Sequence, residues 1–294
     1  MAWRNIEELY DMFLENKLIT KEILNLYYIC NENELQATSY CSCGRVMKLR
    51  KQDSEYSIYG CSFCDKRIKI KKINSSIKTK IDNLKLVRIL FLYTLNIPNN
   101  IISEMCKLNA VTVSKIILAV QKKIDTFENE KIGGVDNIVQ LDECCFGKSK
   151  YNRGRIGNRK WVFGGINIAD KSCFMNVVPN RKAETLGSII VNKIHFGTTI
   201  YTDQYPSYLK FFNNNEAFLY DNVDHSKYFI NPDTGAHTQN IENLWSQFKK
   251  FKRKKSYSKL KYLQLYLNEF MLRRKYNIEN RWQLFEYILN KSFF

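Results

Sequence analysis

Three acidic residues sit where a carboxylate is costly unless something balances it. Asp142 ends the apolar run Ile138-Val139-Gln140-Leu141, and a carboxylate at the tip of a buried strand must be paired or bind a cation. Asp203 repeats the arrangement after Thr199-Ile200-Tyr201-Thr202. If those two strands lie side by side, the carboxylates meet at one sheet edge. Glu242 falls in a helical pattern whose apolar stripe is Ile241, Leu244, Trp245, Phe248 and Phe251. Glu242, Ser246, Lys249 and Arg253 share the neighbouring face, so Glu242 can look at the sheet edge with Lys249 two turns further on. Three converging carboxylates suit hard divalent cations such as Mg2+ or Mn2+. Two such ions, about 4 Å apart, activate an attacking oxygen and stabilise a leaving one in phosphodiester cleavage. Any one of these acids alone reads as a turn or surface residue; the three in this order carry the inference.

The elements that must position them follow from periodicity. After the linker Gly133-Gly134, strands are expected over Ile138–Asp142, Trp161–Ile168, Cys173–Val178 and Thr198–Thr202, with a helix over Ala183–Ile194. Two long helices follow, over about 238–254 and 257–276. This is an α/β pattern. Upstream, residues 84–126 read as three helices: one carrying Leu84, Val87, Arg88 and Phe91, one over Asn99–Lys107 opened by Pro98, and one over Thr112–Phe127 capped by Thr112. Their layout suits a helix-turn-helix, with Thr112, Ser114, Lys115 and Gln121 on or near the exposed face of the third helix, where they can enter a major groove. Residues 5–30 read as two short helices, and Arg67–Lys71 as a strand with one basic face.

Charge points to the partner. The net charge is +17, yet residues 1–40 carry 3 basic and 7 acidic side chains, so the rest of the chain is more cationic still. Such a body fits a polyanion, and nucleic acid is the usual one. The basic residues cluster beside the acids: Lys148, Lys150, Arg153, Arg155, Arg159 and Lys160 follow Asp142, while Lys250, Lys252, Arg253, Lys254 and Lys255 follow Glu242. Clusters so placed suit phosphate binding. Tyr151 and Trp161 could stack on an unpaired base; Trp161 reads better as core.

Nine cysteines, an odd number, with no basic-then-apolar N-terminal leader argue for metal ligation and free thiols over a disulfide framework. Cys61-Ser62-Phe63-Cys64 has the spacing of a zinc knuckle, and Cys41-Ser42-Cys43-Gly44 offers a tighter C-x-C partner. Four thiolates can surround Zn2+ tetrahedrally, although C-x-C strains the local turn; Cys30 is a possible substitute ligand. Residues 41–80 hold 11 basic and 3 acidic side chains, so this module suits DNA contact as well. No apolar run approaches the ~20 residues that span a bilayer, so a soluble, intracellular protein is expected.

Together, Asp142-Glu143, Phe146-Gly147-Lys148, Lys150-Tyr151-Asn152-Arg153-Gly154-Arg155, Trp161-Val162-Phe163-Gly164-Gly165, Gly197–Asp203, Tyr208, Val223-Asp224-His225-Ser226, Phe229, Asn231–Glu242, Trp245 and Lys249 carry a likeness. Over roughly residues 133–255 the chain resembles the catalytic domain of Merlin-type DDE transposases, relatives of bacterial ISXO-like insertion-sequence transposases. The resemblance implies an RNase H-like fold and a metal-binding triad of Asp142, Asp203 and Glu242, with two divalent ions. Some bacterial relatives have Asn at the third position with a Lys seven residues on; this chain has Glu242 and keeps Lys249, while Asp224 stands where relatives often have Asn. It implies a zinc ribbon ahead of that domain and gives His225 and His237 a place near the DNA.

The expected layout is an N-terminal helical segment (1–40), a zinc-ribbon-like module (41–80), a helix-turn-helix (81–130) and an RNase H-like domain with C-terminal helices (135–294). The function implied is cut-and-paste transposition on double-stranded DNA by a homodimer or larger assembly, in the nucleus. A transposase-derived DNA-binding protein and a structure-selective nuclease remain as alternatives.

Overall fold

The computed structural model describes residues 41–45, 47–52, 56–71, 77, 81, 83–124, 130–147, 159–224, 227–228, 230–255, 260–276 and 281–293. The helices expected over 5–30, Cys30, the loop residues Lys148, Lys150, Tyr151, Arg153 and Arg155, and His225 lie outside them. The chain forms two units, residues 1–120 with 278–294, and residues 121–277.

In the first unit, strands β1 (Lys48–Gln52), β2 (Tyr56–Gly60) and β3 (Arg67–Lys71) make an antiparallel sheet in that order, with an irregularity between Leu49 and Lys51. Three helices follow: α1 (Asn83–Thr94), α2 (Asn99–Met105) and α3 (Ala110–Gln121). Each buries apolar side chains: Leu86, Leu90 and Phe91 on α1, Ile102 on α2, and Val113, Ile116 and Ile117 on α3. Helix α3 begins two residues before the expected cap. Asn109 Oδ1 accepts from Val111 N at 2.8 Å, so Asn109 does the work assigned to Thr112.

The second unit is built on strands β4 (Ile138–Phe146), β5 (Lys160–Asn167), β6 (Cys173–Val178), β7 (Thr199–Asp203) and β8 (Leu219–Val223), in the sheet order β6-β5-β4-β7-β8. The first three form an antiparallel meander, and β7 and β8 run parallel to β4. Parallel strands need crossovers, which helices α4 (Ala183–Lys193) and α5 (Pro206–Phe212) supply. These helices cover one face, where Val139, Leu141, Phe163 and Ile200 pack with Leu186, Ile190, Tyr208 and Phe212. Helices α6 (Gln239–Arg253) and α7 (Leu263–Lys275) cover the other, where Cys144, Phe146, Val162 and Met175 pack with Ile241, Leu244, Trp245, Phe248, Leu267 and Phe270. A mixed five-stranded sheet in the order 3-2-1-4-5, with helices on both faces, is an RNase H-like arrangement. Helix α8 (Arg281–Phe293) returns to the first unit, where Phe285 meets Phe91 of α1 edge-on at 5.4 Å.

Gln121, expected on an exposed face, is buried and donates to Glu269 at 2.7 Å. Lys255 and Arg273 also reach that carboxylate, at 2.7 and 2.8 Å. Burial pushes Glu269 up, but the two cations outweigh it and hold it near 2.

Candidate active site

Strand pairing brings the first two acids together. The parallel register runs Ile138↔Thr199, Val139↔Ile200, Gln140↔Tyr201 and then stops. Two residues further along each strand stand Asp142 and Asp203, level with each other and on the same face. Asp142 is not at a strand end, as its sequence context suggests. The hairpin partner β5 carries β4 on to Phe146, with Asp142 opposite Gly164. What ends at this point is the ladder to β7, so the strands part where the carboxylates sit.

Asp142 is gripped on both oxygens. Glu143 N donates to Oδ1 at 2.7 Å, and the buried Trp245 donates from Nε1 to Oδ2 at 3.0 Å. Gly164 makes room for that indole: a Cβ there would lie 2.8 Å from Trp245 Cη2 and 3.1 Å from the Phe174 carbonyl oxygen. Burial raises the Asp142 carboxyl to about 6, and Asp203 and Glu242 push it the same way. Asp203 itself accepts from Tyr205 N at 3.0 Å.

Helix α6 is hooked onto β4 by a polar residue inside the apolar run. Gln140, fully buried, accepts from Asn240 N at 2.9 Å and Ile241 N at 3.2 Å. Its Nε2 lies 3.1 Å from His237 Nδ1, which also accepts from Gln239 N at 3.3 Å. Glu242 follows directly, and its Oε1 accepts from Thr238 Oγ1 at 2.8 Å. Lys249 stands on the same helix and its charge reaches Cys144, opposing the upward pull of burial on that thiol. Cys144 is two residues past Asp142 on the same face, so Lys249 overlooks the site.

The acids occupy an open edge. A cavity of about 390 Å³ lies at the other end of the sheet, among Lys131, Asp170, Cys173, Lys193 and Arg274, and holds none of them. Three carboxylates whose charges act on one another suit a divalent cation, which would offset their mutual repulsion. Among the described residues, the group whose ligand atoms already stand close enough together to hold a metal ion is the four cysteines described below, not these acids.

Other expected residues sit as follows. Lys250 and Arg253 are exposed on α6, while Thr112 and Ser114 are half-buried on α3 and Lys115 is exposed. Sequence reasoning gave no role to Gln140 or Glu143, and left Trp245 in the core. The signal for Gln140 was available: an amide inside an apolar strand must find partners. Glu143 points to the opposite face from Asp142. Among the described residues its buried Oε1 and the buried Tyr208 hydroxyl make no hydrogen bond of good geometry, although the two groups act on each other, and burial raises its carboxyl to about 7.

In the first unit, the Sγ atoms of Cys41, Cys43, Cys61 and Cys64 all lie within 4.8 Å of one another. Cys41 is 3.1 Å from Cys64, Cys43 is 3.5 Å from Cys61, and Cys64 is 3.7 Å from Cys43. Zn–S bonds of about 2.3 Å in a tetrahedron call for sulfurs only slightly further apart. The C-x-C turn closes without the expected strain because Gly44, at φ 79°, takes the left-handed conformation and donates to the Cys41 carbonyl at 2.8 Å. The Cys43 backbone N–H lowers the Cys41 thiol to about 6.

Residues 134–275 match the family model of the ISXO2-like transposase domain. Over this stretch, within the RNase H-like unit, the chain is similar to the ISXO2-like DDE transposases. No curated protein matches the chain. Among solved structures, similarity is found to a simian T-cell lymphotropic virus intasome in complex with the PP2A regulatory subunit B56 gamma, at 13% identity and TM-score 0.33, over 67% of this chain and 74% of that one. It is also found to the HTLV-2 integrase catalytic core domain in complex with magnesium, in its dimeric form, at 16% identity and TM-score 0.32, over 52% of this chain and 99% of that one.

Proposed function

We propose that the chain is a DNA transposase working by cut-and-paste, with Asp142, Asp203 and Glu242 as ligands of two Mg2+ or Mn2+ ions. The observation that carries this reading is the level placement of Asp142 and Asp203 on adjacent parallel strands, with the Gln140 hook fastening to β4 the helix that bears Glu242, whose charge reaches Asp142. When bound, the ions supply the Lewis acidity for hydrolysing a phosphodiester at each transposon end and for in-line attack of the freed 3′-OH on target DNA. The protein's part is orientation. Trp245 and the Glu143 N–H fix both Asp142 oxygens, and Thr238 fixes Glu242. Lys249 supplies a cation for a backbone phosphate.

Helices α1–α3 would read terminal inverted repeats through Thr112, Ser114 and Lys115, and the cysteine module would hold Zn2+ and add basic contacts. The basic loop Lys148, Lys150, Arg153 and Arg155, together with His225, His237, Lys250 and Arg253, would line the DNA path. Two ends handled together call for at least two copies of the chain, and the resemblance to Merlin-type enzymes makes the nucleus the proposed compartment. The test is direct: purified protein with Mg2+ or Mn2+ should nick terminal-repeat DNA and join it to a target. Asp142→Asn, Asp203→Asn and Glu242→Gln should each abolish both steps while DNA binding persists. Activity surviving in any one of them overturns the assignment.

A further inference from the structure

A cation that the family resemblance does not supply stands on the other face of the same sheet edge. Arg181 lies between β6 and α4. Its guanidinium carbon is 3.9 Å from the centroid of the Trp161 ring and 4.4 Å from that of Tyr205. Its carbonyl accepts from the Ser207 hydroxyl at 2.7 Å, so backbone and side chain are both held. Tyr205 in turn meets Tyr208 edge-on at 6.3 Å. A guanidinium clamped between two rings has given up most of its rotamer freedom before any ligand arrives. A guanidinium held by its carbon against two rings keeps N–H groups whose fork suits phosphate oxygens. Among the described residues, those nitrogens donate no hydrogen bond.

Its neighbours place it at the acids. Trp161 pairs with Cys145, three residues past Asp142 on β4. Tyr205 follows Asp203 by two residues, and its N–H is the donor to Asp203 Oδ1. The charge of Arg181 reaches Glu143, the residue after Asp142. Lys249 makes the matching approach to Cys144 from the α6 face. Lys249 thus stands on the face of the sheet that carries Asp142 and Asp203, and Arg181 on the opposite face, beside Glu143.

We propose that Arg181, preset between Trp161 and Tyr205, grips a backbone phosphate of the DNA strand lying across the edge at Asp142 and Asp203, distinct from the phosphate met by Lys249. This rests on the transposase reading for the identity of the ligand. A plain packing role, in which Arg181 only ties the β6–α4 segment to Trp161, is the rival.

The test uses the full chain and a fluorescently labelled DNA duplex carrying a 3′ single-stranded overhang, titrated over a salt series. Arg181→Met keeps apolar bulk against the rings and loses the charge. It should weaken binding severalfold and reduce the slope of log K against log salt by about 0.7–0.9, the loss of one phosphate contact. Arg181→Lys should keep the slope. Combining Arg181→Met with Lys249→Met should sum the two slope losses. Thermal unfolding of each variant is followed alongside; if Arg181→Met does not fold, Arg181→Gln, whose planar amide can still stack, is read instead. A slope unchanged in a folded variant, with only thermal stability lowered, overturns the proposal in favour of packing. A double variant no different from the single ones overturns the claim of separate phosphates. DNA bound but never cut by the wild-type protein would sink the transposase reading while the slopes still decide Arg181. No DNA binding by the wild type sinks both.

Discussion

Gln140 and Ile241 are joined by a hydrogen bond from the Ile241 backbone N–H to the Gln140 side-chain oxygen, at 3.2 Å, and the same oxygen takes the Asn240 N–H at 2.9 Å. A strand residue thus caps the helix that carries Glu242. The first N–H groups of a helix have no partner within it, and here they are satisfied by the strand that bears Asp142. The Gln140 amide, together with the Trp245 indole on Asp142, fastens the helix acid to the strand that bears the sheet acid.

Gln140→Leu should therefore fail on two counts. It strands two backbone donors, at roughly 1–3 kcal/mol for each one buried, and it releases Glu242 from its place. A fall of about 2 kcal/mol or more in a urea melt is expected, along with loss of strand cleavage. Gln140→Glu keeps the acceptor and places a negative charge at a helix N-terminus, so its stability loss should be the smaller of the two. Equal losses in the two variants would show that the hook does not act through the acceptor oxygen.

The strongest parts of this arrangement were legible in sequence because they are periodic. Asp142 and Asp203 announce themselves as acids after apolar runs, and Glu242 by its place beside a helical stripe. Strand β8 and helix α5 were not recognised. Leu219–Val223 is a short edge strand with one fully buried position, so it shows no alternation, although Pro206 at the start of α5 was a usable signal. Strands β1 and β2 were likewise unseen, whereas Arg67–Lys71 alternates plainly. The extent of β4 was misjudged because strand length is set by its partner β5, a long-range pairing that no local pattern encodes. The same is true of Gly164, whose lack of a side chain matters only because Trp245 arrives from far along the chain.

Trp245 and Gly164 give a paired prediction. Trp245→Phe deletes the Nε1 donor to Asp142 while keeping most of the ring. A hydrogen bond to a charged acceptor is worth about 1.5–3 kcal/mol, and losing it removes an influence that lowers the Asp142 carboxyl. The pH–rate profile for cleavage should move to higher pH. Gly164→Ala drives a methyl into the same indole and against the Phe174 carbonyl oxygen, which cannot yield. Destabilisation of roughly 1–3 kcal/mol is expected, with activity lowered too. An unmoved acid limb in Trp245→Phe would separate this indole from the chemistry.

Asp142 and Glu143 predict a pH dependence of the metal-free protein. Burial raises both carboxyls, to about 6 and about 7, above their ordinary values. A raised group binds its proton more tightly folded than unfolded, so its stabilising effect is complete below the unfolded value, about 4, and is lost as pH rises through the folded one. Stability without metal should decline between about pH 4 and pH 7. Since ligands must be deprotonated, the stabilisation by added Mg2+ or Mn2+ should grow over the same interval. A melting temperature flat across that interval in Asp142→Asn, Glu143→Gln but not in wild type would assign the effect to this pair.

The four cysteines make a separate claim on a separate unit. Purified protein should carry one Zn2+ per chain, and a strong chelator should remove it with loss of ordered structure confined to residues 41–71. Cys43→Ser breaks the C-x-C knuckle and should have the same effect. Asp142→Asn, in the other unit, should leave the zinc content unchanged. Full zinc loading in Cys43→Ser would show that the metal is held elsewhere.

Glu269 tests the core behind the site. It is the buried centre of a network in which Gln121, Lys255 and Arg273 all donate to its carboxylate. Lys255 follows the end of α6, and Glu269 and Arg273 lie on α7, so the carboxylate fastens together the helices that cover the active face. Glu269→Gln keeps the shape and leaves two cations without their counter-charge. Removing one partner of a buried ion pair costs about 3–5 kcal/mol, more than the pair itself contributes. Glu269→Met combined with Lys255→Met and Arg273→Leu should recover much of that loss, because the desolvation penalty disappears together with the charges. The pH sign is opposite to that of Asp142. A depressed carboxyl gives stability above its unfolded value, about 4.5, which is lost as pH falls through about 2, so wild type should lose its advantage over Glu269→Gln in acid. A constant gap between the two from pH 7 down to about pH 2 would mean that the glutamate acts through packing rather than charge.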